Sequence, residues 1–312
     1  MKIDQQKLES LLAVEVAGIK MKTPVMGASG TFGYGEEFAD FVDWRAVGGI
    51  VAKGLTLAPR RGNPGRRIVE TPAGMLNSIG LQNPGVKVFA EEILPRIKDY
   101  AVPIIANING GTVDEYGRVA EALEGSAVAG LEVNISCPNT EHGCMAFGVI
   151  PETAAQVVRT VKQATTLPVI VKLSPNVTDI AEIAQAVEAA GADAISLINT
   201  LVGLAIDINT WRPVLGNVTG GLSGPAVKPV AVRMVWQVAR AVKIPVIGMG
   251  GISCAEDAVE FLLAGASAVQ VGAANFVNPR AVSEVAHGLA DYLTRRGLNH
   301  VSQLVGQMKT EG

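Results

Sequence analysis

The chain has 312 residues, of which 48% are hydrophobic and 18% charged, with a formal net charge of −3 and a mean hydropathy of +0.31. This composition predicts a large buried core rather than disorder, and the weak negative charge without a basic block argues against a nucleic-acid partner. No apolar run reaches the roughly 18 residues of a membrane span, and the opening MKIDQQKLES lacks a signal peptide's apolar segment, so we expect a cytoplasmic protein without a membrane anchor.

Short apolar segments alternate with longer amphipathic ones along most of the chain. The candidate strands are PVMGAS, GIVAKG, VPIIANI, GLEVNISC, LPVIVKLS, DAISLINT, IPVIGMGG and SAVQVGAAN. The candidate helices include VKVFAEEILPRIKDY, TVDEYGRVAEALEGS, PETAAQVVRTVKQATT, TDIAEIAQAVEAAG, KPVAVRMVWQVARAV and CAEDAVEFLLAG. Continuous apolar strands separated by helices indicate a parallel sheet covered on both faces. Eight such units predict an α/β fold, a single (β/α)8 TIM barrel domain over residues 1–312.

Three segments do not follow this alternation. Residues 56–85 and 200–229, after the second and sixth strands, are long insertions, and insertions of this length in a barrel are usually functional loops. We therefore expect both near an active site. Residues 1–23 precede the first strand, and the stretch LLAVEVAGIKMK within them predicts a hairpin that closes the bottom of the barrel.

Active sites of such barrels lie at the C-terminal ends of the strands. The residues at those ends are Ala28, Ser29, Lys53, Gly54, Asn107, Asn134, Ser136, Cys137, Lys172, Asn199, Thr200, Gly250, Gly251 and Gly272. A rim of amides, ammonium groups and one thiol suits an anionic ligand that forms hydrogen bonds. It argues against glycosidase chemistry, which needs paired carboxyl groups, and against metal-dependent hydrolysis. The alternative is that the asparagines and Thr200 cap the following helices and that the lysines point to solvent.

Two glycine-rich turns, GMGGIS and VGAANF, follow the seventh and eighth strands. Glycine lets backbone N–H groups approach a phosphate at a helix N-terminus, and this is the phosphate position of many (β/α)8 barrels. The turns therefore predict a phosphate site, and the alternative is that the glycines serve only the tight turns. Neither turn matches the dinucleotide fingerprint G-x-G-x-x-G, so the phosphate is not expected to belong to NAD.

The chain has three cysteines, Cys137, Cys144 and Cys254, and no pair of them has CxxC spacing. An odd, scattered set fits reduced thiols better than a disulfide framework. We therefore expect neither a structural zinc nor an iron–sulfur cluster on this chain, and no other metal site.

Nine motifs in chain order resemble those of the dihydroorotate dehydrogenases, flavin-dependent (β/α)8 enzymes of pyrimidine (UMP) biosynthesis. They are MGASGTFGYG, VAKGLT, NSIGLQNPG, NISCPN, VKLSPN, SLINT, GGLSGPAVKPVA, PVIGMGGI and VQVGAANF. NSIGLQNPG together with NISCPN is specific, whereas GMGGI occurs in many flavin barrels. The cysteine of NISCPN, the following CMAFG and the lack of a membrane-targeting extension resemble the soluble class 1 enzymes, and most closely the catalytic subunit of the NAD-linked class 1B type.

The resemblance implies an FMN site and a dihydroorotate site. The implied FMN contacts are Ser29, Lys53, Gly54, Asn107, Asn134, Lys172, Ile198, Gly224, Gly250, Gly251, Gly272 and Ala273. The implied substrate contacts are Lys53, Asn77, Ser78, Ile79, Gly80, Leu81, Asn134, Asn199 and Thr200. The chain departs from the family at two positions. Ala273 replaces a frequent threonine, which removes one hydroxyl contact to phosphate, and Cys144 stands where glycine is usual.

Dihydroorotate oxidation removes a proton from C5 and a hydride from C6, so a base and the flavin must face the ring from opposite sides. Cys137, at the end of the fourth strand, is the predicted base, since a thiol has an unperturbed pKa of about 8.5. The alternative is a small buried core residue. We expect Lys172 to stabilise the anionic reduced flavin and Lys53 to bridge flavin and substrate. Asn77 with the amides of residues 79–81 would bind the substrate carboxylate, and the arginines of PRRGNPGRR are expected in a solvated surface loop.

The resemblance also implies a partner subunit that carries FAD and a [2Fe–2S] cluster and relays electrons to NAD. The expected assembly is a heterotetramer built around a catalytic homodimer. Three alternatives stay open. They are a fumarate-linked class 1A-like enzyme, a dihydropyrimidine dehydrogenase catalytic unit, which has no need of the carboxylate donors of NSIGLQNPG, and a non-redox isomerase or lyase-like barrel that binds a phosphorylated metabolite.

Overall fold

The computed structural model describes residues 4–136 and 147–310. Its β-strands, numbered in chain order, are β1 (Val14–Val16), β2 (Ile19–Met21), β3 (Val25–Gly27), β4 (Gly49–Val51), β5 (Ile68–Thr71), β6 (Gly74–Asn77), β7 (Ile104–Ile108), β8 (Gly130–Asn134), β9 (Val169–Lys172), β10 (Ala194–Leu197), β11 (Leu201–Leu204), β12 (Ile206–Asp207), β13 (Arg212–Pro213), β14 (Thr219–Ser223), β15 (Val246–Met249) and β16 (Ala268–Val271).

The α-helices of the described residues are α1 (Gln5–Leu12), α2 (Val86–Val88), α3 (Leu94–Ile97), α4 (Val113–Leu123), α5 (Pro151–Ala164), α6 (Ile180–Ala189), α7 (Lys228–Ala241), α8 (Ala255–Leu263), α9 (Ala274–Val277) and α10 (Ala281–Arg296). A π-helical stretch, Phe89–Ile93, joins α2 to α3, and short 3-10 turns lie at Glu36–Phe38, Lys98–Tyr100, Pro225–Val227 and Val301–Leu304. Over the described ranges, no helix is both long and apolar enough to cross a membrane.

Eight parallel strands form a closed barrel in the order β3, β4, β7, β8, β9, β10, β15 and β16. Each coincides with one of the eight strands predicted from the sequence, and β16 closes the barrel by pairing with β3. The strands are buried on both faces, as in β9 and β10, because helices cover the outside and side chains fill the inside. The predicted (β/α)8 TIM barrel is therefore confirmed.

The connection between β3 and β4 differs from the regular unit. In place of a full helix it contains only the 3-10 turn Glu36–Phe38, and aromatic side chains fill the space. Phe32 stacks on Phe38 with ring centroids 4.5 Å apart, and Trp44 meets Phe32 edge-on at 6.2 Å. Aromatic rings bury much area per residue, so they supply the apolar cover that a helix face gives elsewhere.

The lower end of the barrel is filled by an antiparallel hairpin, β1–β2, that follows α1. Its inward side chains Val16, Ile19 and Met21, here called the apolar plug, are at most 5% exposed. They pack against barrel side chains from seven strands, Met26, Val51, Ile105, Ile170, Ala194, Ile247 and Ala268. Burial of this apolar surface fixes the hairpin against the strands. Helix α1 was not predicted from the sequence.

The insertions after the second and sixth barrel strands are confirmed, and the structure shows that they fold together. Strands β5 and β6 come from the first insertion, and β11 and β14 from the second. They form one antiparallel sheet in the order β11-β14-β6-β5, here called the insertion sheet, in which Leu222 pairs with Leu76. A further hairpin, β12–β13, extends from the second insertion and exposes Ile208 and Trp211 almost completely.

Candidate active site

The C-terminal ends of the barrel strands and the insertion sheet enclose a cavity of about 560 Å³. Every predicted FMN contact lines it: Ser29, Lys53, Gly54, Asn107, Asn134, Lys172, Ile198, Gly224, Gly250, Gly251, Gly272 and Ala273. The predicted substrate contacts that also line it are Asn77, Ile79, Gly80, Leu81, Asn199 and Thr200. Ser78 does not line the cavity, and its buried hydroxyl has no hydrogen-bond partner. Cys137 and Cys144 lie outside the described residues.

Side chains inside the barrel form two layers of opposite character. The lower one is apolar and packs on the plug. Above it lies a set of buried polar side chains, here called the polar layer, made of Asn107, Glu132, Lys172, Ser196 and Gln270. Asn107 and Lys172, near the C-terminal ends of β7 and β9, line the cavity, whereas Glu132, Ser196 and Gln270 lie beneath them. The layer therefore forms part of the cavity floor and the level just below it.

Glu132 lies at the centre of the polar layer and is 0% exposed. Its Oε1 accepts a hydrogen bond of 2.7 Å from Nδ2 of Asn107 and lies 3.6 Å from Nζ of Lys172. Its Oε2 accepts hydrogen bonds of 2.8 Å from Oγ of Ser196 and from Nε2 of Gln270. Glu132 was not predicted from the sequence. The available signal is a lone charge within the apolar strand GLEVNISC, because a buried carboxylate requires partners.

The two lysines at the strand ends both line the cavity, so the alternative that they point to solvent is wrong. Lys172 is only 6% exposed and faces the carboxylate below it. Lys53 is half-buried, and this burial lowers the pKa of its ammonium group. The nearby Glu37 carboxylate acts in the opposite direction and raises the pKa, whereas the Arg67 guanidinium lowers it further. A weakly hydrated ammonium of this kind interacts strongly with an anion that enters the cavity.

The asparagines after β8 and β10 form a hydrogen-bonded row on the rim. Oγ of Ser136 donates to Oδ1 of Asn134 at 2.8 Å, and Nδ2 of Asn199 donates to both Ser136 Oγ at 2.7 Å and Asn134 Oδ1 at 3.2 Å. The backbone N–H of Thr200 in turn donates to Oδ1 of Asn199 at 2.9 Å. None of these residues is the N-cap of a described helix, so the helix-capping alternative is wrong for them.

The two glycine-rich turns differ in why they contain glycine. Gly250 and Gly251 have φ of 122° and 83°, and a Cβ on Gly251 would lie 2.8 Å from the carbonyl oxygen of Gly224, so this turn requires glycine for its own conformation. Gly272 has no such constraint, since an added Cβ would meet no atom closer than 3.8 Å. Gly272 is therefore not required by crowding, and it lines the cavity beside the start of α9, where backbone N–H groups face an incoming anion.

Within the first insertion, residues before β5 hold the loop that follows β6 by hydrogen bonds. Nη1 of Arg67 donates to Oε1 of Gln82 at 2.7 Å, and its Nε donates to the carbonyl oxygen of Asn63. Asn63 in turn donates from Nδ2 to the carbonyl oxygen of Ser78 at 3.1 Å. Because Gln82 and its neighbours line the cavity, Arg67 supports the cavity wall. Arg67 is half-buried and its guanidinium is held by these bonds, so the expectation of a solvated surface loop holds for it only in part.

These features define the class of the protein: a (β/α)8-barrel enzyme with a cavity at the C-terminal strand ends, suited to a phosphorylated cofactor and a small anionic substrate. Ammonium groups, amides and glycine turns bind such ligands. The described residues contain no group of three or more histidine, cysteine, aspartate or glutamate side chains that could hold a metal ion.

Comparison with known proteins gives the family. The dihydroorotate dehydrogenase family model matches residues 11–293. The chain is 58% identical over 300 residues to the dihydroorotate dehydrogenase B (NAD(+)) catalytic subunit of Geotalea uraniireducens, covering 96% of this chain and 98% of that protein. The subunit of the same name from Trichlorobacter lovleyi is 58% identical over 303 residues, covering 97% of this chain and 100% of that protein. The one from Desulforamulus reducens is 59% identical over 296 residues, covering 95% of this chain and 97% of that protein. The chain therefore belongs to the dihydroorotate dehydrogenase family and is an oxidoreductase, which confirms the resemblance of its motifs to the class 1B catalytic subunit.

Proposed function

We propose that this protein oxidises dihydroorotate to orotate in pyrimidine biosynthesis, and that residues 1–312 form a single FMN-binding domain whose first 23 residues close the barrel bottom. The observation that carries the proposal is the convergence of the expected FMN and substrate contacts, from separate strands and both insertions, on one cavity. The names of the most similar relatives support the same reaction.

The residues of the cavity fit FMN. Gly272 and Ala273, together with the turn at Gly250 and Gly251, line the cavity and would offer backbone N–H groups to its phosphate. Asn107 and Lys172 provide an amide and an ammonium on the cavity floor for the polar edge of its ring. When bound, FMN supplies the two-electron acceptor that no amino-acid side chain provides.

Substrate recognition would come from the rim and the insertion sheet. The dihydroorotate carboxylate requires donors, which Asn77 and the backbone amides of residues 79–81 supply at the edge of β6. Nδ2 of Asn77 is held near β14 by a hydrogen bond of 3.3 Å to the carbonyl oxygen of Gly221. Asn134, Asn199 and Lys53 would orient the ring, and the insertion sheet would keep water from it.

Proton removal from C5 is assigned to the Cys137 thiol. Cys137 itself lies outside the described residues, so the assignment depends on the position of Ser136, the residue that precedes it. Ser136 is nearly buried at the end of β8 and is fixed by hydrogen bonds to Asn134 and Asn199. The described chain therefore reaches the cavity rim at Ser136 and is fixed there. A thiolate acts as a general base, and Asn199 and Asn134 would hold the ring for it.

Electrons would leave through a partner subunit that carries FAD and a [2Fe–2S] cluster and reduces NAD, in a heterotetramer built on a catalytic homodimer. Two observations support a partner. The relatives are named as catalytic subunits, and two apolar side chains beside the cavity, Phe276 and Val277, are 55% and 90% exposed. Exposed apolar residues next to a redox site fit a surface that a second protein covers.

An anaerobic visible spectrum tests the proposed function. We expect the purified protein to hold FMN and to lose its absorbance near 450 nm when dihydroorotate is added, but not when dihydrouracil is added. Bleaching by dihydrouracil instead would indicate a dihydropyrimidine dehydrogenase, and a colourless protein that cannot be loaded with FMN would contradict the proposal. Reoxidation by fumarate without a partner would indicate the class 1A-like alternative.

A further inference from the structure

Glu132 is the carboxylate of the polar layer, and ligand binding in the cavity does not explain its position. Glu132 does not line the cavity, yet its two oxygens take hydrogen bonds or charge contacts from residues on four other strands. A fully buried carboxylate is unfavourable unless its partners offset the loss of water. The contacts of both oxygens with four side chains indicate that the carboxylate arranges these partners.

Two of those partners reach the cavity. Asn107 and Lys172 line its floor, and both contact the same oxygen, Oε1 of Glu132. The other two, Ser196 and Gln270, contact Oε2 and lie beneath the floor. One oxygen therefore faces groups that touch a ligand, whereas the other is anchored in the barrel interior. Because Ser196 and Gln270 hold the carboxylate in place, the carboxylate in turn holds Asn107 and Lys172 in place on the cavity floor.

We propose that Glu132 is a positioning residue: its carboxylate fixes the Lys172 ammonium and the Asn107 amide on the cavity floor and offsets part of the positive charge that Lys172 presents to the cofactor. The inference rests on the proposed function, because it concerns the residues expected to contact FMN. It goes beyond that function in assigning a charge-setting role to a residue that touches neither ligand.

The charge effect has a definite sign. A positive charge beside the flavin stabilises the reduced, anionic cofactor, and a negative charge 3.6 Å from that ammonium opposes the effect. Glu132→Gln removes the negative charge and keeps the side-chain volume. The midpoint potential of the bound FMN should therefore rise.

The polar layer can accept this variant without a buried clash. Oε1 of Gln270 is buried and has no hydrogen-bond partner. When the Gln270 amide turns over, that oxygen accepts from the new Nε2 group at position 132, and the Ser196 hydroxyl can accept as readily as donate. The Gln270 Nε2 group then takes the unpaired position, so the layer keeps one unpaired side-chain atom, as in the wild type. Glu132→Gln should therefore fold.

The experiment compares wild-type protein, Glu132→Gln and Ser196→Ala, each loaded with FMN, by spectroelectrochemical titration. Ser196→Ala removes one hydrogen bond from the same carboxylate but leaves its charge, so it reports the effect of a lost contact without a change of charge. We expect the potential of Glu132→Gln to rise by on the order of 30 mV, which is a tenfold change in preference for the reduced two-electron form. The potential of Ser196→Ala should stay at the wild-type value.

The outcomes separate the inference from the proposed function. An unchanged or lower potential in Glu132→Gln, or an equal rise in Ser196→Ala, overturns the role of Glu132 even if the protein oxidises dihydroorotate. Wild-type protein that binds no FMN overturns the proposed function. If Glu132→Gln does not fold, the double variant Glu132→Gln/Gln270→Glu keeps a carboxylate in the layer but moves it to the side of Oε2, and its potential should also exceed that of the wild type.

Discussion

Nδ2 of Asn199 donates a 2.7 Å hydrogen bond to Oγ of Ser136, which ties the end of β10 to the residue before Cys137. The same Nδ2 group lies 3.2 Å from Oδ1 of Asn134, so one amide connects two strand ends across the cavity rim. A single side chain therefore links the proposed substrate contacts to the start of the segment that contains the proposed base.

Asn199→Ala should reduce kcat/KM for dihydroorotate by about 10- to 100-fold, because it removes hydrogen bonds each worth about 1 kcal/mol. We expect FMN to remain bound, since the phosphate turns lie elsewhere in the cavity. Steady-state kinetics with the holoenzyme measure the effect. Asn299→Ala, at an exposed position, is the matched control and should behave as the wild type. Equal kinetics for both variants would contradict a role for Asn199.

Lys172→Met should lower the midpoint potential of bound FMN and reduce turnover by about 10²-fold, because it removes the positive charge on the cavity floor and leaves the Glu132 charge unpaired. Titration of the FMN-loaded variant measures the potential. Lys162→Met is the control, since Lys162 forms a surface pair with Asp193, 2.8 Å apart, and such pairs contribute at most about 1 kcal/mol. A potential equal to that of the wild type would exclude the role assigned to Lys172.

Cys137→Ala should retain FMN but reduce it with dihydroorotate about 10²- to 10⁴-fold more slowly, which is the usual contribution of a general base. In the wild type the rate should rise with pH as the thiol ionises. Anaerobic stopped-flow at several pH values measures both effects. The exposed Cys254 gives the control Cys254→Ala, which should leave the rate unchanged. A Cys137→Ala rate near that of the wild type across the pH range would reject Cys137 as the base.

Arg67→Ala should raise KM for dihydroorotate several-fold with a smaller change in kcat, because Arg67 braces the cavity wall at Gln82 without touching the cavity itself. The hydrogen bond to Gln82 is exposed, and a bond of this kind contributes about 0.5–1.5 kcal/mol, which corresponds to a several-fold change. Arg66→Ala, at an exposed neighbouring position, is the control. If kcat fell and KM did not change, Arg67 would have a different role.

The stability of the α7–α8 contact should depend on pH. Burial raises the pKa of Asp257, but hydrogen bonds from Lys228, at 2.7 Å, and from Ser253 outweigh it and lower the pKa to about 2. A carboxyl group with a depressed folded-state pKa contributes stability above about pH 4, and this contribution is lost as the pH falls toward 2.

Asp257→Asn should therefore lower the free energy of unfolding by about 1 kcal/mol near pH 7, with solvent screening of the pair taken into account. The difference from the wild type should shrink as the pH is lowered from 4 toward 2. Denaturant titrations across this range measure it. Glu260→Gln, which removes the more exposed partner of Lys228, should have a smaller effect. A difference that is the same at every pH would contradict the assigned charge effect.

The barrel strands could be predicted because each is a continuous apolar run bounded by glycine, proline or polar residues. The same logic placed Asn107, Lys172 and Gly250 at strand ends, and the structure brings them into one cavity. Contacts within one strand or helix depend on nearby residues, so their patterns are visible in a single sequence.

The parts that could not be predicted depend on distant pairing. Leu76 and Leu222 are far apart in the chain, and nothing in either insertion specifies that they pair in the insertion sheet. Glu132 was missed for a related reason, since its partners come from four other strands. Its burial is favourable only once the barrel has closed, and the sequence around it shows only a charge in an apolar run.

The apolar plug at the lower end of the barrel determines from which end of the barrel a ligand can reach the cavity. Because Val16, Ile19 and Met21 pack against the barrel strands at that end, the described residues leave no passage along the barrel axis, and the cavity lies at the opposite, C-terminal end of the strands. Substrate and product of the proposed reaction would therefore reach and leave the cavity from the C-terminal end of the barrel and occupy it in turn.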